Sequence, residues 1–151
     1  MKKKIILGVG GIIFLAIAYY LISPLFIVKE ANEQLPTMAA VQNSSENELQ
    51  PILEGQLIAS AHDVEGRVVV YEINGKKTLR FENLDTVNGP DLFIYLATDN
   101  SAEDYVDLGR IKATKGNVNY DIPANVDLEK YDTVLVWCRA FRVLFSYAEL
   151  N

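Results

Sequence analysis

This sequence predicts an all-β ectodomain, an antiparallel β-sandwich or small barrel, preceded by one N-terminal transmembrane helix. Three observations predict it. An uncharged run of 24 residues, Ile5–Val28, follows three lysines. An Asn-Gly pair separates two stretches in which apolar and polar residues alternate. Beyond it, short β-branched and aromatic runs recur at even spacing between clusters of Gly, Pro, Asn and Asp, the pattern of sandwiches and barrels.

The membrane segment is justified by length and flanking charge. A bilayer core of roughly 30 Å needs about 20 helical residues, so Ile5–Val28 is long enough to cross with some tilt. Lys2, Lys3 and Lys4 stand on one side, and only Lys29, next to Glu30, on the other. The positive-inside bias then places the N-terminus in the cytoplasm and everything after Val28 outside. A cleaved signal peptide would have an apolar region of about 7–15 residues and a small-residue cleavage site. Here the run is longer and ends in Ser23-Pro24-Leu25-Phe26 without that pattern. Residues 1–28 are therefore expected to be a signal anchor in the cell membrane, single-pass, with the membrane as a partner through residues 5–28.

Residues 29–53 are polar and short of aromatics, with Pro36 and Pro51 near the ends of the stretch. They are expected to form a stalk or linker. Asn43-Ser44-Ser45 has the pattern of an N-glycosylation acceptor. Residues 54–151 are expected to be one β domain, long enough to bury a core. From Gly55 onward, ten Lys and Arg are scattered singly among fifteen Asp and Glu. That balance excludes nucleic acid as a partner and argues against docking on anionic lipid.

The clearest β element is a hairpin. Arg67–Ile73 and Lys76–Glu82 flank Asn74-Gly75, the favoured two-residue type I′ turn. The turn sets the register. Val70 should oppose Leu79, and Val68 should oppose Phe81, on one face; Val69 should oppose Arg80, and Tyr71 Thr78, on the other. Glu72–Lys77 and Arg67–Glu82 become favourable cross-strand pairs. Leu57–Ala61 is expected as a first strand, followed after the hairpin by Leu92–Ala97, Tyr105–Ile111 and Val118–Ile122. A helical turn is expected near Asp127–Tyr131. Thr133–Cys138 is apolar throughout and should be covered on both faces, and Phe141–Phe145 should close the domain. Periodicity does not reveal the strand order.

Residue counts exclude several chemistries. His62 is the only histidine, Cys138 the only cysteine, and Met1 and Met38 the only methionines. A blue-copper site needs two His and a Cys. Covalent c-type haem needs C-x-x-C-H, and iron–sulfur or structural zinc sites need several Cys or His. No Gly-x-Ser-x-Gly elbow is present. The acidic loop Asp99, Asn100, Glu103, Asp104 lacks the spacing of a calcium loop. No metal is therefore expected. Two groups remain. Cys138 and His62 could pair as a thiol and its base, or either could be an axial ligand to a non-covalent haem. Against this, a free Cys on a central strand is commonly a small buried residue. Alternation along the strand puts Val134, Val136 and Cys138 on one face and Leu135 and Trp137 on the other. Arg139 should also point away from the thiol.

Five blocks carry a resemblance. They are His62-x-x-x-Gly66; Gly89-Pro90-Asp91-Leu92; Val106-Asp107-Leu108-Gly109-x-Ile111-Lys112; Gly116-x-x-x-Tyr120-x-Ile122-Pro123; and Trp137-Cys138-x-x-Phe141-x-Val143-x-Phe145-x-x-Ala148-x-Leu150. In this order they resemble the DM-thirteen domain family, also called the electron-transfer DM domain, over about Glu54–Asn151. The resemblance implies electron transfer through the family's characteristic cysteine, as a bare thiol or as ligand to a group such as haem. Cys138 is the matching position. His62 matches the family's early histidine, for which no role is implied. With no partner module on this chain, the electron partner is expected to be another protein. The leading expectation is a membrane-anchored extracytoplasmic redox module with Cys138 as reactive thiol or cofactor ligand, and Trp137 and Phe141 shaping its pocket. The alternative is a non-catalytic surface adhesion or binding module with Cys138 as inert core, recognising partners through the loops at His62, Gly89-Pro90-Asp91 and Asp99–Asp104.

Overall fold

The computed structural model describes residues 2–23, 28–35 and 50–151, with the side chains of the first helix described from Gly8 onward. Two five-stranded sheets pack face to face, as the alternating pattern requires. One sheet contains, in spatial order, β1 (Glu30–Asn32), β8 (Lys115–Ile122), β5 (Lys76–Thr86), β4 (Val64–Ile73) and β2 (Pro51–Gln56). The other contains β3 (Ile58–Ala59), β10 (Val143–Glu149), β9 (Thr133–Cys138), β6 (Leu92–Ala97) and β7 (Tyr105–Arg110). All neighbours are antiparallel except β1 and β8. The fold is an antiparallel-rich β-sandwich.

The hairpin register is the expected one in every pair, from Arg67↔Glu82 to Glu72↔Lys77. Asn74 (φ 54°) and Gly75 (φ 74°) take the positive dihedrals of a type I′ turn. Arg67 and Glu82 form an ion pair at 2.8 Å. The inward side chains Val68, Val70, Leu79 and Phe81 meet Leu92, Ile94, Leu96, Val134, Val136 and Cys138 in one core between the sheets. Each such fully buried side chain contributes roughly 1.5–3 kcal/mol.

Several boundaries differ from expectation for identifiable reasons. The first strand begins earlier, at Pro51, and the chain crosses from one sheet to the other at Leu57, whose N–H donates to Gly66 O. Arg139–Arg142 is a turn rather than the start of a strand, because Arg142 adopts φ 54°; β10 therefore starts at Val143. Near Asp127–Tyr131 a single turn forms, closed by Tyr131 N–H to Asp127 O at 2.9 Å.

The stretch expected to be a stalk contributes β1 and the first half of β2. Lys29 N–H donates to Thr114 Oγ1 at 3.0 Å, and Lys29 O accepts from Thr114 N–H at 2.8 Å. Glu33 Oε2 accepts from Asn119 N–H, and Glu33 O accepts from Arg80. Residues 36–49, with the Asn43-Ser44-Ser45 triplet, lie outside the described residues.

The first helix, α1, covers Lys2–Ile22. Its uncharged part starts at Ile5, giving about 27 Å of helix at 1.5 Å per residue, short of a core of roughly 30 Å. Among the described residues no helix is long and apolar enough to cross a membrane. The span expected over Ile5–Val28 is thus not supported by the helix as it stands, because the helix ends at Ile22, two residues before Pro24.

Two predictions follow from the packing of β8. Gly116 has φ 102°, and a Cβ there would stand 2.1 Å from Ala31 O. Gly116→Ala should therefore expel β1 and destabilise the fold by about 2–4 kcal/mol, read as a lower urea midpoint. Tyr120 is buried, and that burial pushes its phenol up to about 12, although its oxygen accepts Lys112 N–H at 2.8 Å. The unfolded phenol ionises near pH 10, so the folded state holds its proton longer. This stabilisation is complete below pH 10 and should be lost as pH rises towards about 12, by about 2–3 kcal/mol. Denaturation measured across that range in wild type and Tyr120→Phe checks it: the variant should show the shallower decline.

Candidate functional site

Three positions singled out in the sequence, His62, the Gly89-Pro90-Asp91 loop and Cys138, lie at one end of the sandwich. Cys138 ends β9, paired with Leu92 of β6 and Val143 of β10. Alternation turns its side chain inward, and it is 0% exposed in the core between the sheets. Gly89 precedes β6, and a Cβ there would meet Phe145 Cζ at 3.0 Å, so the loop lies directly on that ring. His62 also packs on Phe145, ring centroids 4.0 Å apart, and its backbone N–H donates to Phe145 O at 3.3 Å. Phe145 therefore joins the His62 and Gly89 blocks, and Arg139 N–H to Asp91 O at 3.0 Å ties the closing turn to the Gly89-Pro90-Asp91 loop.

The structure does not join His62 to Cys138. Among the described residues no hydrogen bond or ring contact links them, and no three or more His, Cys, Asp or Glu side chains are grouped to hold a metal. Trp137 and Phe141 do not wall in the thiol. Trp137 lies on the opposite face of β9, against Tyr95, Ala97 and Leu135. Phe141 projects from the turn and is 55% exposed. Cys138 is wholly buried in the core cluster that also holds Leu92, Val136 and Phe145, so a haem does not fit at Cys138 in this packing.

On the outer face of the same strands is a cluster that sequence reasoning missed. Arg139 folds back over the Phe93 ring, 3.4 Å from its centroid, donates to Tyr95 Oη at 2.5 Å and pairs with Asp107. Tyr95 stacks on Tyr105 at 4.0 Å. Burial pushes the Tyr95 phenol up from its ordinary value, while the Arg139 guanidinium pulls it down. Beside these groups, Ser101, Ala102, Glu103, Trp137 and Arg142 complete the lining of a depression of about 480 Å³. The signal was present in the alternation of β6, where Phe93 and Tyr95 share the face of Trp137.

A model of the family described as Electron transfer DM13 matches residues 56–150. The chain belongs to the DM13 family. No curated protein and no solved structure matches it. The DM13 match runs from the last residue of β2 to Leu150, whose N–H is held by Asp132 O. β1 and the rest of β2 thus lie outside the matched span, although they pair with strands inside it.

One further inward group stands in the DM13 core. A register shift between Leu144 and Ser146 sets Ser146 opposite Val136. Among the described residues its buried hydroxyl has no hydrogen-bond partner. An unsatisfied buried hydroxyl costs about 1–3 kcal/mol. Ser146→Ala should therefore raise stability by about 1 kcal/mol, measured as a higher denaturation midpoint. A fall would mean that the hydroxyl has a partner in solution.

Proposed function

We propose that this DM13 protein is an electron-transfer module, held by residues 5–28 at the extracytoplasmic face of a cell membrane, in which Cys138 is the redox group. The family match across 56–150 carries this reading. Membrane attachment is supported by the sequence, in which the uncharged run continues past the end of α1 to Val28 behind Lys2, Lys3 and Lys4.

A single cysteine cannot store electrons as an internal disulfide. Its oxidised form is a mixed disulfide with a partner protein. The Cys138 thiolate, having released its proton to solvent, attacks a partner disulfide. One S–S bond forms, the partner's own S–S bond breaks, and its second sulfur leaves as thiolate. Cys138 is fully buried, so the turn Arg139–Arg142 must open first. Arg139, held by Phe93, Tyr95 and Asp107, is the latch on that turn.

The second reading is a non-catalytic binding module with Cys138 as inert core. It is favoured by the burial of Cys138 and by its separation from His62. Thiol titration of the full chain, folded and denatured, across pH and with its absorption spectrum recorded, distinguishes the two. The redox reading expects Cys138 to react in the folded protein. Arg139→Ala should accelerate that reaction, and Cys138→Ser should abolish electron exchange while the fold persists. Reaction only after unfolding would replace the redox reading with the binding one.

A further inference from the structure

The end of the sandwich that carries Cys138 is also the end at which the uncharged N-terminal run joins the fold. Lys29 is bonded to Thr114 and Lys115 at the start of β8. Lys115 is paired with Asp85, and Thr86 with Val64, which places the end of β5 and the start of β4 at the same end. From Thr86 a short link leads to Leu92, which is paired with Cys138. Cys138 in turn opens the Arg139–Arg142 turn, and His62 lies just before Val64. The Asn74-Gly75 turn, at the other termini of β4 and β5, marks the far end.

No stalk separates the run from the fold. Val28 is the last residue of the uncharged run, and Lys29 is already hydrogen-bonded within the domain. One Cα–Cα step of about 3.8 Å lies between them. Val28 is 70% exposed at this end, and Val87 is 38% exposed beside the same loops. Phe141 stands at the tip of the closing turn with the exposed Arg142 next to it. Exposed apolar and aromatic side chains beside a long cationic one suit the water–lipid interface, where the ring enters and the charge stays at the headgroups. Asp63 and Glu65 border the face, and Lys115 is paired with Asp85 at 2.9 Å. The face therefore fits a zwitterionic surface on which it rests, rather than an anionic one.

We propose that this end of the sandwich, presenting Val28, Val87 and Phe141, lies against the lipid surface, so that the turn over Cys138 faces the membrane. The proposal rests on the anchored reading above. The test uses the full chain carrying Cys138→Ala in phosphatidylcholine vesicles. A fluorophore is attached through Ala140→Cys, or at the far end through Lys76→Cys, and quenched by nitroxide-labelled lipid. Several-fold stronger quenching at position 140 than at 76, reduced by adding Phe141→Ser, is the expected result. Equal quenching in a chain that still floats with the vesicles after carbonate washing overturns the proposal and leaves the anchor standing. A chain that does not float overturns the anchor and the proposal with it. The unmodified chain gives an independent reading, because Trp137 is its only tryptophan and lies one residue from Cys138. Its fluorescence should be quenched by brominated lipid, and unchanged fluorescence would count against the proposed orientation.

Discussion

β9 has to be covered from both sides, and the two covers are built differently. Val134, Val136 and Cys138 need the opposite sheet, which supplies Val68, Val70, Leu79 and Phe81. Leu135 and Trp137 face outward, where no third layer exists among the described residues. Their cover comes from neighbouring side chains on the same sheet, Phe93, Tyr95, Leu144 and Tyr147. Arg139 completes it by lying over Phe93 and bonding to Tyr95. The inner cover makes Cys138 inaccessible, and the outer one pins the turn that would expose it. Both follow from one strand that is apolar at every position between Val134 and Cys138.

The same requirement explains the other sheet. Val69, Tyr71 and Ile73 point away from the sandwich, yet Val69 is fully buried. Leu35 packs against them, and Arg80 reaches Glu33 O. The segment Lys29–Leu35 is therefore part of the covering of this sheet, not an approach to it. Asn119 takes part through three bonds, to Glu33, Gln34 and Arg80.

The parts of this fold that were legible in the sequence are those set by local rules. The Asn74-Gly75 turn fixed the pairing of β4 with β5, and alternation in β9 placed Cys138 and Trp137 on opposite faces. What local rules do not encode was missed. β1 is three residues of ordinary polarity, held by backbone bonds to a strand more than eighty residues later. The positive φ of Arg142 keeps Phe141 and Arg142 out of the closing strand, which was expected from Phe141 and begins at Val143. The candidate residues were legible by type but not by neighbourhood. His62 and Cys138 stand out as the chain's only imidazole and thiol, but their separation by the fold depends on the strand order, and so does the Arg139 cluster.

The parallel pairing of β1 with β8 also determines how the domain resists a pull. Tension applied through Val28 runs along the axis of β1, so the bonds to β8 are loaded together in shear and not opened one at a time. The C-terminal side of β1 is tied in by Glu33 and Gln34. Cleavage of the chain between residues 36 and 49 would therefore not free the sandwich at once. The N-terminal part would stay docked through these bonds, and release would take place at the rate at which β1 slips from its groove.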